Sequence, residues 1–170
     1  MSLIYICLTM LLAVSPVQQP SLLDSIRQKS AQECVAVSYE YATVVSGMKT
    51  IGDGVVHIQG NAYHMEGNGI EIYCDGTSTW MIDEQAKEVF IEASQSQSAG
   101  YLANPALLLM NLEEDSESYE VDGNRITVRI PGESDLVVEI IDVRPEGAKK
   151  TEAFRPPMVF DSTWIVTDLR

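Results

Sequence analysis

Residues 54–91 read GVVHIQGNAYHMEGNGIEIYCDGTSTWMIDEQAKEVFI, and this stretch decides the fold. Short runs rich in β-branched and aromatic residues are punctuated by Gly60, Gly67, Gly69 and the Asp75-Gly76 pair, with Trp80 four residues further on. Such side chains suit the pleated surface of a strand, and glycine supplies the positive φ that tight turns need. The stretch therefore predicts an antiparallel meander, with strands near 53–65, 69–74, 78–83 and 87–93.

Upstream of it, Val35, Val37, Tyr39, Tyr41, Thr43 and Val45 alternate along another strand. Ser21 and Asp24 have capping-box spacing, and Leu22, Leu23, Ile26, Ser30 and Cys34 follow at helical intervals, so a helix is expected from Ser21 to about residue 34. Downstream, the polar run SQSQSAG (94–100) leads to Asn104-Pro105, a favourable helix start. The helix that follows is apolar almost all round through Leu107, Leu108, Met110 and Leu112. A short helix of that kind is either sandwiched in the core or covers a cavity as a lid. Glu113, Glu114, Asp115 and Glu117 oppose the helix dipole and end it near Leu112. A hairpin is expected around Asp122-Gly123-Asn124, a strand at 136–143 and a last strand or pair within 152–167.

The length of 170 residues suits one domain with a sizeable core, and a hydrophobic fraction of 45% argues against disorder. A net charge of −14 repels nucleic-acid backbones and anionic lipid surfaces, so neither is an expected partner. Residues 3–14, LIYICLTMLLAV, have the length of a signal-peptide core and are too short to span a membrane. The expected organisation is a signal peptide and short linker at 1–19, then a single exported domain at 20–170 that is not an integral membrane protein. Cys34 and Cys74 would then form a disulfide or remain two ordinary buried residues.

His57 and His64 are the only histidines, and one unbroken strand through both would place them on opposite faces. A metal site would need a further Asp, Glu or Cys to converge on one of them, so no metal is expected. The acidic run at 113–117 reads as a solvated turn. No nucleophile elbow or zinc-protease motif occurs, and Gly52-Asp53-Gly54 and Gly67-Asn68-Gly69 do not lead into helices as phosphate loops would. Neither an enzyme nor a cofactor is expected.

Gly54 and Gly60 around a strand, Tyr63, Ile70-Glu71-Ile72, Asp75-Gly76, Trp80, Val89 and Ile91, the apolar helix at 105–112 and the ending VFDSTWIVTDLR resemble the LolA-like periplasmic lipoprotein carriers. The resemblance runs over roughly residues 21–170 as a divergent member. It implies an α+β fold, mainly β: a strongly curved antiparallel sheet, or incomplete β-barrel, with an N-terminal helix and a short lid helix over an apolar concavity. It also implies a monomeric periplasmic chaperone that shields the acyl chains of lipoproteins, or another amphiphile, between an inner-membrane donor and an outer-membrane acceptor. The cavity would be lined by Ile58, Tyr63 and Trp80 beneath Leu107, Leu108, Met110 and Leu112; for the aromatic residues, ordinary sheet packing is the other reading. In the family an Arg-Pro pair ends the strand matching 54–59, its Arg holding the lid; here Gly60-Asn61 stands there. That departure keeps open a different role for the same fold, an envelope sensor or interaction module that binds a protein partner.

Overall fold

A computed structural model describes residues 21–45, 48–67, 69–94, 119–129 and 135–170. The expected export segment, the apolar helix bearing Leu107, Leu108, Met110 and Leu112, and the acidic run after it lie outside the described residues.

Helix α1 (Leu22–Ser30) begins as its sequence dictates: the Ser21 side chain accepts from the Asp24 amide while the Asp24 carboxylate accepts from the Ser21 amide. It buries Leu23 and Ile26 and stops at Ser30, earlier than the spacing predicts. Cys34, counted above as helical, is already extended and paired with Gly147. The Ser30 carbonyl at the end of α1 accepts from the Gly60 amide at 2.8 Å, which fastens the helix to a turn of the sheet.

Ten strands follow among the described residues: β1 (Cys34–Val45), β2 (Met48–Gln59), β3 (Ala62–Gly67), β4 (Ile70–Cys74), β5 (Ser78–Asp83), β6 (Glu88–Ala93), β7 (Tyr119–Asp122), β8 (Arg125–Val128), β9 (Leu136–Gly147) and β10 (Ile165–Asp168). They form one curved, unclosed sheet in the order β10-β6-β5-β4-β3-β2-β1-β9-β8-β7. The described protein is thus mainly β with one α-helix, as expected.

Two expectations are corrected. Residues 53–65 are not one strand, because Gly60 (φ +58°) and Asn61 form a two-residue turn between β2 and β3. The sheet is also not wholly antiparallel, since β10 runs parallel to β6. Most of 152–167 is irregular apart from a 3₁₀ turn, Thr151–Phe154, and β10 itself. This connection carries the chain from β9 to the far edge of the sheet.

Directly opposed residues share a face in a sheet, so the register assigns every side chain to one of two faces. One face holds a large apolar cluster that includes Val35, Val37, Val56, Ile72, Ile126 and Val138, joined by Leu23 and Ile26 of α1. On the opposite face Tyr73, Ile82, Val89 and Ile91 form a second, smaller cluster, which Phe160 and Trp164 of the last connection cover. Phe154 is also buried. The sheet is therefore apolar on both sides around β4–β6 and one-sided elsewhere.

Candidate functional site

The residues expected to line a lipid cavity divide between the two faces. Ile58 and Tyr63 are direct partners across β2 and β3, Tyr63 lies opposite Cys74, and Cys74 lies opposite Thr79. This row continues through Thr79, so the next residue, Trp80, points the other way. Trp80 sits opposite Tyr73 and packs on the second cluster beside Phe160 and Trp164. It cannot line one cavity with Ile58 and Tyr63, and the expectation is corrected on that point. Ile58 and Tyr63 are both buried in the main cluster.

The two-residue turn at Gly60-Asn61 has a second consequence. It places His57 directly opposite His64, on the same face, where an unbroken strand would have separated them. The rings are stacked 5.9 Å apart, and His64 stacks in turn on Tyr73 at 4.1 Å. The Tyr73 hydroxyl donates to Glu71 at 2.9 Å. Burial holds the His64 imidazole below its ordinary pKa, against the opposing pull of Glu66 and Glu71.

Beside His57 the sheet assembles a mixed polar cluster. Cys34 lies on this face diagonally across from His57, whose direct partner on β1 is Ala36. Between β1 and β9 the register shifts, Val35 opposing Pro145 while Cys34 opposes Gly147. Glu146 is the extra residue of this bulge. Bulges re-aim side chains, and here the Glu146 carboxylate meets both neighbours. Its Oε2 is 2.9 Å from His57 Nδ1 and 3.7 Å from the Cys34 thiol, while Lys149 Nζ donates to the same oxygen at 2.6 Å. The Lys149 ammonium, reinforced by His57, outweighs partial burial and pulls the Glu146 carboxyl down to about 2. The Cys34 thiol is fully buried, and that burial raises its pKa.

Lys149 is held from its backbone: its amide donates to Gln59 Oε1 at 2.7 Å, and Gln59 Nε2 donates to its carbonyl at 2.9 Å. These bonds dock the start of the last connection on the end of β2. Cys34, His57 and Glu146 together offer one sulfur, one nitrogen and one oxygen ligand, all within 4.8 Å of one another. The sequence reading required a Cys, Asp or Glu to converge on a histidine, and two of these types do so. Neither was visible beforehand, because strand register and a bulge bring Glu146 to a histidine 89 positions away.

Cys34 and Cys74 are free thiols, so the disulfide considered from the sequence does not form. They sit on β1 and β4 with β2 and β3 between them, roughly 14 Å apart at 4.8 Å per strand and beyond the reach of a bridge.

Further along the same face as His57, a depression of about 470 Å³ is lined by Glu40, Ala42, Ile51, Asp53, Val137 and Glu139, among others. Glu139, Glu40 and Asp53 face one another in a row across β9, β1 and β2. That row makes this hollow acidic, unlike the apolar concavity expected for acyl chains.

Among the described residues these features define a single curved, open sheet with one α-helix, an extended apolar face and a compact sulfur, nitrogen and oxygen cluster on the reverse. No protein-family model matches the chain, and no curated protein matches its sequence.

Proposed function

We propose that this protein is an exported, non-catalytic carrier that takes acyl chains of lipoproteins, or of another amphiphile, against the apolar face of its curved sheet during transit through the periplasm. The observation that carries the reading is the continuous apolar row from β8 through β9 and β1 to β4, on a sheet whose edges do not close. An open sheet can separate from its cover without breaking strand pairing. Each methylene withdrawn from water is worth about 0.8 kcal/mol, so a few acyl chains give tight but reversible binding. The resemblance of residues 21–170 to lipoprotein carriers supports the same reading, as does the apolar pattern of Leu107, Leu108, Met110 and Leu112, which would form the lid. No described helix is long and apolar enough to cross a membrane.

The carrier acts as a monomer that receives cargo from an inner-membrane donor and yields it to an outer-membrane acceptor with higher affinity. Substituting Leu108→Asp and Met110→Asp together makes the proposed lid polar on its underside. The expected result is at least tenfold weaker uptake of a diacylated lipopeptide by a folded variant. Undiminished uptake would count against the lid.

A specific observation favours a second reading, an interaction module for a protein partner. At the free end of the β1–β2 hairpin Met48 and Ile51 are 72% and 68% exposed, an apolar tip outside the main cluster. Alanine at both positions would abolish partner capture in that reading and leave lipopeptide uptake unchanged in the carrier reading.

A further inference from the structure

We infer that Cys34, His57 and Glu146 form a binding site for one thiophilic divalent transition ion, of which Zn²⁺ is the type. The inference is independent of the carrier reading, because the cluster lies on the opposite face of the sheet from Ile58 and Tyr63.

The ligand set is the first argument. Cysteine sulfur, histidine nitrogen and a carboxylate oxygen are the three protein donors Zn²⁺ uses, and three of them leave one position open. Around a tetrahedral ion with the usual bond lengths the donor atoms stand about 3.3–3.6 Å apart. The Cys34 sulfur is already 3.7 Å from Glu146 Oε2, and His57 Nδ1 is 2.9 Å from that oxygen. All three donor atoms lie within 4.8 Å of one another, so side-chain shifts on the order of an ångström complete that geometry.

The second argument is how the set is built. Cys34 and His57 are fixed by the pairing of β1 with β2, and Glu146 is brought to them by the only residue inserted between the Pro145 and Gly147 pairings. Access is graded as an ion site requires: Cys34 is buried at the base, while the side chains of His57 and Glu146 are 22% and 32% exposed. The open position faces solvent, where water or an exchanging ligand completes the coordination.

Charge supplies the third argument. Without the ion, Lys149 neutralises Glu146. With the ion, a Cys34 thiolate and the Glu146 carboxylate balance two positive charges, and Lys149 becomes surplus. Its backbone stays pinned by Gln59 while its side chain, a third exposed, swings into solvent. The Cys34 thiol proton leaves to solvent as the ion enters, and His57 binds as the neutral imidazole through Nδ1 with its one N–H on Nε2.

The test is titration of the reduced, chelator-treated protein with Co²⁺, whose thiolate charge-transfer absorption reports a sulfur ligand, followed by displacement with Zn²⁺. One Co²⁺ per chain is expected, with the thiolate band lost on addition of Zn²⁺. Cys34→Ser should abolish the band and Cys74→Ser should retain it. His57→Gln should weaken binding by more than about tenfold, with folding of each variant checked by circular dichroism. Absence of a thiolate band at stoichiometric Co²⁺ in the unsubstituted protein, or a band that survives Cys34→Ser and vanishes in Cys74→Ser, would overturn the assignment.

Discussion

Gly54 is a position where a single methyl group is not tolerated. A Cβ there would fall 2.6 Å from Tyr39 Oη and 2.7 Å from the Glu66 carbonyl oxygen. Gly54→Ala is therefore expected to lower the unfolding free energy by about 1–3 kcal/mol, measured by urea denaturation. Adding Tyr39→Phe should not restore it, because the Glu66 carbonyl is backbone and stays in place. Asp75 supports a prediction about acid. Its carboxylate accepts from the Thr77 and Ser78 amides at 2.9 Å each and pairs with Arg155 at 2.7 Å. Burial acts to raise its pKa, but these hydrogen bonds and Arg155 outweigh that and hold it below the ordinary value. A carboxyl depressed in the folded state stabilises the protein above its unfolded pKa of about 3.9 and loses that contribution as pH falls through the lower folded value. The stability difference between the natural protein and Asp75→Asn should accordingly narrow below about pH 4. A gap of constant size from neutral pH down to pH 2 would contradict the assignment. Asp75-Gly76 was legible as a turn from the sequence alone; the partnership with Arg155, eighty positions away, was not.

Among the elements, the last connection is the one that periodicity describes worst and packing describes best. Its Phe154 is 1% exposed, and Phe160 and Trp164 close over the second cluster, so Phe154→Ala is expected to cost about 3–5 kcal/mol. A loss below 1 kcal/mol in a urea titration would mean that the segment is only loosely laid on the sheet. No regular repeat of apolar residues marks this segment, which is why a strand or pair was expected where most of the chain is irregular. By contrast, α1 was legible because the capping box of Ser21 and Asp24 is a local device, formed by the residues that announce it. The β2–β3 turn leaves a signal in the phase of the apolar residues on either side of it. Buried residues are even-numbered before Gly60 (Val56, Ile58) and odd-numbered after it (Tyr63, Met65), a change of phase that a two-residue turn produces. Asp122-Gly123-Asn124 marks its hairpin plainly in the sequence, and Gly123 takes a positive φ close to that of Gly60. The histidine pairing follows from that one turn, while the division of Trp80 from Tyr63 follows from the registers of β3 with β4 and of β4 with β5.

For the whole molecule, the two faces of one sheet supply two chemistries. The apolar face is the proposed seat of acyl chains, and the reverse face carries the proposed ion site and an acidic row at Glu139, Glu40 and Asp53. For the proposed carrier, a net charge of −14 would disfavour anionic membrane surfaces and make cargo transfer depend on partner proteins. The apolar face could be traced in the sequence from alternating strands, but the side on which Trp80 falls could not, because parity alone does not say which strands are joined by turns of two. The most direct test of the carrier account is native mass spectrometry of the protein purified from an envelope fraction without detergent. The account predicts co-purified diacyl or triacyl species, or stoichiometric uptake of added lipopeptide, that dissociate in the Leu108→Asp, Met110→Asp variant. A clean mass with no uptake of lipopeptide by the natural protein would contradict it and leave the exposed Met48–Ile51 tip as the seat of function.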